Sequence, residues 1–377
     1  MRFADDAQAM RAALQLAAQA IGLTEPNPRV GCVLVDGAGR ELGRGHTQRA
    51  GEAHAEIMAL RDAQSRGASV RGATAFVTME PCSHTGLTGP CCDALVAVGV
   101  RRVVASVEDP NPLVAGRGFA RLRAGGVTVD IGEAAQQSRE INIGFFSRMV
   151  RKTPWVRLKS AASLDGKTAL DNGSSQWITS DGARQDGHTW RARAGAMLTG
   201  IGTVLDDNPR LDVRLPDRQP DWPQPALAVV DSRLETPLDA RLFLAGRTLT
   251  IYAAVPDEAR EAALKDRGAT VVVLPGRAPG SAGKVDLEAM LRDLAKRGVN
   301  ELHVEAGHKL NGSLIREGLV DELLLYLAPK LIGQGRGIAA FGPLAALDQS
   351  VALEFKSISQ LGPDLRIVAR VAGRDRF

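Results

Sequence analysis

His54, Cys82 and Cys91 stand where one regular element gives way to another, and this constrains the fold more than any other feature of the chain. His54-Ala55-Glu56 opens an apolar helical stretch, Pro81-Cys82 ends a strand-like run, and Pro90-Cys91 opens a second helix. One imidazole and two thiolates suit zinc, and three protein ligands leave a fourth position for water. Zinc lowers the pKa of that water to about 7, so hydroxide is available near neutrality. Residues i and i+2 point to well-separated sides of a regular helix, so His54 and Glu56 can share a site only in a first turn. Glu56 is then left to carry protons rather than hold metal. The alternation of helix and strand places the ligands at helix starts beside strand ends, where α/β sheets usually bind ligands.

The local chemistry favours thiolates. Cys91 follows Pro90, a good first helical residue, so free N–H groups and the positive end of the helix dipole lower its pKa. Cys82 follows the strand pattern of residues 73–79. The order matches the H-x-E…P-C-x-x-C signature of zinc deaminases, except that eight residues rather than two separate the cysteines. Cys32, inside the apolar run 30–35, reads as core, and Cys92 points elsewhere on its helix than the ligand beside it. His84 lies between the ligands, where ligand, substrate contact and solvated loop all remain open.

At 377 residues the chain is long enough for two domains. Hydrophobic residues make up 44% of it, enough for ordinary cores. No run approaches the ~20 apolar residues of a membrane span. Residues 5–22 read as an amphipathic helix with an acidic start, without the basic start and long apolar core of a signal peptide. Cysteines placed as ligands fit a reducing cytoplasm. The net charge is only +4, and aromatics are 4% of the chain. Single-strand binders stack bases on aromatic platforms in a basic groove, so a small anionic substrate suits this balance better than nucleic acid.

Residues 1–150 alternate helix and strand: strands at 29–35, 41–46, 74–79 and 102–107, helices at 54–66 and 90–98, then helix, strand and helix over 119–149. That pattern predicts a three-layer α/β unit. Arg151-Lys152-Thr153-Pro154 marks a boundary. A second α/β unit follows, with strands at 156–162, 196–200, 226–231, 248–253, 270–274, 301–305, 322–328 and 365–371. Its helices fall at 181–194, 256–267, 286–297 and 311–317. Two turns, Thr199-Gly200-Ile201-Gly202-Thr203 and residues 304–313, follow strands and suit either phosphate binding or an ordinary turn. Neither has the full G-x-G-x-x-G spacing.

With these pieces together, the chain resembles the bifunctional riboflavin-biosynthesis deaminase/reductase family along nearly its whole length. In the first half the likeness rests on Pro26-Asn27-Pro28-Arg29-Val30-Gly31-Cys32, on Gly51-Glu52-Ala53-His54-Ala55-Glu56, and on the stretch from Glu80-Pro81-Cys82 to Pro90-Cys91-Cys92. The eight-residue cysteine spacing belongs to this pattern. Asp109-Pro110-Asn111-Pro112 also matches. In the second half it rests on residues 159–167, Ser175-Gln176-Trp177-Ile178-Thr179-Ser180, Asp206-Asp207-Asn208-Pro209, Val304-Glu305-Ala306-Gly307 and Leu327-Ala328-Pro329-Lys330.

The resemblance implies a cytidine-deaminase-like α/β/α domain over residues 1–150 and a dihydrofolate-reductase-like α/β domain over 151–377. It implies two steps on a phosphoribosyl pyrimidine: hydrolysis of a ring amine, then NADPH-dependent reduction of the ribosyl group to a ribityl chain. Carried over by position, His54, Cys82 and Cys91 hold Zn2+ and Glu56 shuttles protons. Asn27 and His84 contact the first substrate. Ala161, Trp177, Thr203, Asp207, Ser232 and the turn Gly307, His308, Lys309, Leu310, Asn311, Gly312 and Ser313 match NADPH positions. Ser175, Arg191, Leu211, Arg214 and Glu305 match substrate positions, and Lys159 assists hydride transfer. A cytoplasmic homo-oligomer is expected.

Taken without the family, Arg191 and Arg214 are ordinary solvated charges, and Trp177 alone is a core tryptophan. Within it, arginines offer bidentate contacts to a phosphate. Two rivals stand beside this reading. A nucleic-acid base deaminase with an accessory domain predicts strongly salt-dependent binding of single strands. A non-catalytic zinc protein needs a metal site closed to water, whereas only three ligands are visible.

Overall fold

The computed structural model describes residues 1–83, 89–112, 114–216, 222–276 and 282–377. The chain divides into two compact units, Met1–Lys152 and Thr153–Phe377. Among the described residues no helix is long and apolar enough to cross a membrane.

The first unit runs α1 (Asp6–Gln19), β1 (Gly31–Val35), β2 (Glu41–His46), α2 (Ala55–Ser65), β3 (Thr74–Val77), α3 (Cys91–Ala97), β4 (Arg102–Ala105), α4 (Arg117–Ala124), β5 (Thr128–Ile131), α5 (Ala135–Ile141) and α6 (Ile143–Arg151). Its sheet has the order β2-β1-β3-β4-β5, antiparallel at β1 and parallel from β3 to β5. Asp5 caps α1 by accepting from the Gln8 N–H at 2.8 Å. Helical spacing then turns Met10 and Ala13 onto Val33, Phe76 and Val104. The opposite face packs Leu34, Ala75 and Val77 against Ala59, Leu95 and Leu122. Cover on both faces explains why all of β1 is buried, in place of alternating inside and outside. Gly31 lets α1 approach closely, since a Cβ there would lie 1.9 Å from the Ala13 carbonyl oxygen.

The second unit runs β6 (Trp155–Ser163), β7 (Lys167–Ala169), α7 (Asp181–Arg193), β8 (Ala196–Gly200), α8 (Ile201–Asp207), β9 (Ala226–Val230), β10 (Leu249–Ala253), α9 (Glu258–Asp266), β11 (Ala269–Val273), α10 (Leu287–Lys296), β12 (Glu301–Val304), α11 (His308–Arg316), β13 (Glu322–Ala328), β14 (Arg336–Gly337), β15 (Leu353–Leu361) and β16 (Asp364–Val371). The main sheet, among the described residues, has the order β11-β10-β9-β8-β12-β6-β13-β16-β15. It is parallel as far as β13, and β16 and β15 then add antiparallel. Leu158, Leu198 and Leu302 pack with Met290, Leu291 and Leu294 of α10, while Leu227, Val229 and Ile251 pack with Leu264 of α9 on another core. The sheet also buries a charge cluster: Arg157 pairs with Glu301 at 2.9 Å and Glu322 at 2.5 Å, and lies over the Trp190 ring of α7.

Several elements depart from the sequence reading. The last helical stretch of the first unit breaks at Asn142, because that side chain leaves the helix to bind the Arg29 backbone. The Thr199–Thr203 turn is instead the end of β8 and the start of α8, and α11 starts at His308 rather than Asn311. β15 was not predicted: a bulge between Phe355 and Ser357 breaks its two-residue alternation, and most of the strand is exposed.

Candidate active sites

In the first unit, His54 is the N-cap of α2, with extended backbone, so its ring leaves the helix while Glu56 occupies the first turn. Cys91 is the first residue of α3. His54 Nδ1 lies 3.5 Å from Cys82 Sγ and 3.5 Å from Cys91 Sγ. The three donor atoms all fall within 4.8 Å of one another. A tetrahedral zinc at ordinary bond lengths separates nitrogen and sulfur by about 3.6 Å, so the donors fit this metal. The Cys91 backbone N–H donates to Cys82 Sγ at 3.4 Å. Hydrogen bonds from the Cys91 thiol first, and then from His54, hold Cys82 well below the usual thiol range, against its burial.

Glu56 is only 3% exposed. Burial first, and then the Cys82 thiolate, push its carboxyl up to about 7. An acid poised near neutrality beside a metal site suits proton transfer in both directions. Asn27 lies in a loop closed by its own N–H to the Thr24 carbonyl at 2.8 Å. That loop is fixed further on, where Arg29 N–H donates to Asn142 Oδ1 at 2.7 Å and Asn142 Nδ2 donates to Arg29 O at 2.9 Å. His84 falls outside the described residues.

Sequence reasoning missed Glu80, although it stands two residues before a ligand. Its buried carboxylate accepts four backbone N–H groups: Asp109 at 3.1 Å, Gly116 at 3.0 Å, Gly118 at 2.8 Å and Phe119 at 3.3 Å. The loop 109–119 is thereby held against the Cys82 segment. Cys92 donates to the Pro81 and Gly118 carbonyls, away from the ligand set, and Cys32 is buried within β1, as the sequence reading expects of both.

In the second unit, Lys159 of β6, Arg191 of α7 and Glu305 just after β12 meet. Arg191 Nε donates to Glu305 Oε1 at 2.5 Å and Nη2 to Oε2 at 2.8 Å. Lys159 Nζ lies 3.6 Å from Glu305 Oε2 and 5.8 Å from the centre of the Tyr326 ring. Burial alone would raise the Glu305 carboxyl, but the Arg191 and Lys159 cations hold it well below the usual range. Arg191 also donates to the Asp212 carbonyl at 3.0 Å, and Arg214 pairs with the Asp212 carboxylate. His188 Nδ1 accepts from the Arg214 N–H, and burial first, then Arg191 and Arg214, lower its pKa to about 4. Leu211 joins this stretch as a buried residue at φ +50°. Asp212, His188 and Tyr326, whose hydroxyl donates to Asp186 at 2.6 Å, carried no signal apart from their neighbours in space.

The remaining positions lie on loops and helix starts. Ala161 follows Lys159 on β6, two residues on. Trp177 is 65% exposed, with the Arg184 guanidinium 4.5 Å from its ring centre. Gly307 is the N-cap of α11, and a Cβ there would come within 3.7 Å of Thr203 Oγ1. That is an ordinary contact, so the fit to a phosphate of NADPH rests on the free N–H groups of this helix start. Of the predicted turn, His308, Lys309 and Leu310 form the first turn of α11, and Ser313 Oγ donates back to Lys309 O within it. Asn311 and Gly312 are turned to the segment 338–340: Asn311 Nδ2 donates to Ile338 O at 2.9 Å, and a Gly312 Cβ would lie 2.0 Å from Ala340 O. Ser232 follows β9 and accepts from the Ala254 and Val255 N–H groups. Neither Ser175 nor Asp207, exposed at the end of α8, hydrogen-bonds to the Glu305 group among the described residues.

Residues 4–107 match the family described as the cytidine and deoxycytidylate deaminase zinc-binding region, and residues 154–367 match the RibD C-terminal domain. The riboflavin biosynthesis protein RibD of Escherichia coli (strain K12) is 43% identical over 367 residues, covering 94% of this chain and 96% of the relative. That of Aquifex aeolicus (strain VF5) is 38% identical, covering 96% of this chain and 97% of the relative. The structure of Acinetobacter baumannii RibD superposes with a TM-score of 0.87 at 36% identity, over 97% of this chain and 98% of that one. The Thermotoga maritima diaminohydroxyphosphoribosylaminopyrimidine deaminase/5-amino-6-(5-phosphoribosylamino)uracil reductase superposes with a TM-score of 0.83 at 28% identity, over 97% of this chain and 99% of that one. The zinc-binding deaminase region with its three converging donors, followed by a reductase domain of dihydrofolate-reductase-like fold, places this chain in the RibD family of bifunctional, zinc- and NADPH-dependent riboflavin-biosynthesis enzymes.

Proposed function

We propose that residues 1–150 deaminate and residues 151–377 reduce a small phosphorylated pyrimidine, each with its own set of side chains. His54, Cys82 and Cys91 hold zinc, with Glu56 as the proton carrier and Asn27 and His84 against the ring. Lys159, Arg191, Arg214, Leu211, Ser175 and Glu305 surround the second substrate. Ala161, Trp177, Thr203, Asp207, Ser232 and residues 307–313 take NADPH. When bound, zinc supplies Lewis acidity toward water and NADPH supplies the reducing equivalents. Glu56 takes the proton from water, delivers it to the ring nitrogen, and afterwards helps the amine depart as ammonia. Arg191 and Arg214 hold the substrate phosphate, and Lys159 fixes positive charge beside the carbon being reduced. The protein works in the cytoplasm as a homo-oligomer on a free small molecule rather than on nucleic acid.

The observation that carries this reading is a donor set of three, His54, Cys82 and Cys91, with one buried carboxylic acid, Glu56, beside it. Its test is a pair of variants on one polypeptide. Glu56→Gln keeps zinc and loses ammonia release by roughly 10²- to 10⁴-fold, the usual worth of a positioned proton carrier. Lys159→Ala impairs NADPH oxidation and leaves ammonia release intact. Near-normal deamination by the Glu56 variant, or equal loss of both activities in the Lys159 variant, refutes the assignment.

A further inference from the structure

His303 is fully buried on β12, and neither ring nitrogen has a hydrogen-bond partner among the described residues. A buried polar group left unpaired costs free energy, so it calls for a reason. Its surroundings supply one. In the sheet register His303 lies beside Arg157 on β6 and Met197 on β8, and Glu305 follows two residues later, on the same side of the strand. Arg157 pairs through Nη1 with Glu301 and through Nε with Glu322. Glu305 Oε1 lies 3.5 Å from His303 Nε2, and that oxygen already accepts from Arg191 Nε at 2.5 Å. Burial keeps the imidazole neutral, so one ring nitrogen carries a proton and the other does not.

We propose that His303 is a positioning residue of the reductase site, a reserve donor whose Nε2–H takes over Glu305 Oε1 when Arg191 turns to the substrate's phosphate. This rests on the reading of Arg191 and Glu305 as substrate residues. Without a replacement, drawing Arg191 away leaves a buried carboxylate short of a donor, and that penalty is subtracted from substrate binding. With His303 beneath it, the carboxylate keeps its orientation toward Lys159 throughout. The geometry gives the residue a specific tautomer, Nε2–H, with Nδ1 bare.

Three variants of the full chain separate this role from simple packing. His303→Leu removes the donor, His303→Asn moves it to the Nδ1 position, and His303→Gln restores it near Nε2. The expected result is a KM for the pyrimidine substrate raised roughly 3- to 10-fold in the Leu and Asn variants, the worth of one hydrogen bond. The Gln variant returns toward the parent value, and KM for NADPH and ammonia release by the first unit stay unchanged. Nitrogen-15 spectra of the imidazole show Nε2 protonated. An unchanged pyrimidine KM in the Leu variant, an equal rise of both KM values that Gln does not rescue, or a proton on Nδ1 overturns the inference. Arg191→Ala distinguishes the layers of the argument. If it binds the pyrimidine normally, the underlying assignment has failed; if it is impaired while His303→Leu is normal, only the role of His303 has failed.

Discussion

Arg191 on α7 and Glu305 beyond β12 meet at two points, Nε to Oε1 at 2.5 Å and Nη2 to Oε2 at 2.8 Å. Such a two-point pair fixes a planar guanidinium in orientation as well as place, which a lysine ammonium cannot do. Arg191→Lys keeps the charge but cannot present two parallel N–H groups, either to Glu305 in the free protein or to the phosphate of the bound substrate. Its kcat/KM for reduction should fall by about 10- to 100-fold, the worth of one charge-assisted hydrogen bond. Ammonia release measured on the same preparation should not change.

The same pair makes part of the stability depend on pH. Arg191 and Lys159 hold the Glu305 carboxyl well below its usual range in spite of burial. Unfolded, a glutamate titrates near pH 4.3. A carboxyl whose folded pKa lies below that value adds stability above about pH 4.3 and loses it as the pH falls through the folded value. Glu305→Gln, which leaves Arg191 without its counter-charge, should be less stable at pH 7 by on the order of 3 kcal/mol. Urea denaturation at pH 7 and at pH 3.5 should show this gap narrowing in acid. A gap that widens contradicts the ion-pair account.

Zinc removal should divide the two activities. Chelation takes the metal from His54, Cys82 and Cys91 and should abolish ammonia release. NADPH oxidation with already deaminated substrate should continue, because Lys159, Arg191 and Glu305 lie in the other compact unit. Metal analysis should return one zinc per chain before treatment and recovery of deamination on adding zinc back.

Gly118 tests how the ligand loop is held. A Cβ there would lie 2.1 Å from the Pro81 carbonyl oxygen and 2.9 Å from Glu80 Oε1. Gly118→Ala must push the loop 109–119 off the Cys82 segment, at a cost of about 1–3 kcal/mol. Zinc content and deamination should fall together while reduction persists. Gly37→Ala, whose added Cβ meets nothing within 4 Å, should change neither.

Much of this was legible in the chain because the chemistry sits at element boundaries. His54 as N-cap and Cys91 as first helical residue follow from the Pro and His positions, and the long apolar runs of β1, β8 and β10 announce themselves as buried strands. What escaped depends on pairing at long range. Glu80 binds residues 29 to 39 positions away, and Asn142 binds Arg29 across 113. No local period records either contact. His303 looked like one more residue of a strand; only the register beside Arg157 and the position two before Glu305 give it a role. β15 stayed hidden because its bulge breaks the alternation that identifies strands.

The most direct measurement follows ammonia release and NADPH oxidation together in one zinc-loaded preparation supplied with the aminated pyrimidine, with and without NADPH. Ammonia should appear at the same initial rate in both cases, and NADPH oxidation should begin only as deaminated product accumulates. Oxidation of NADPH with no ammonia released, or ammonia release that requires NADPH, would contradict two chemically separate sites acting in sequence.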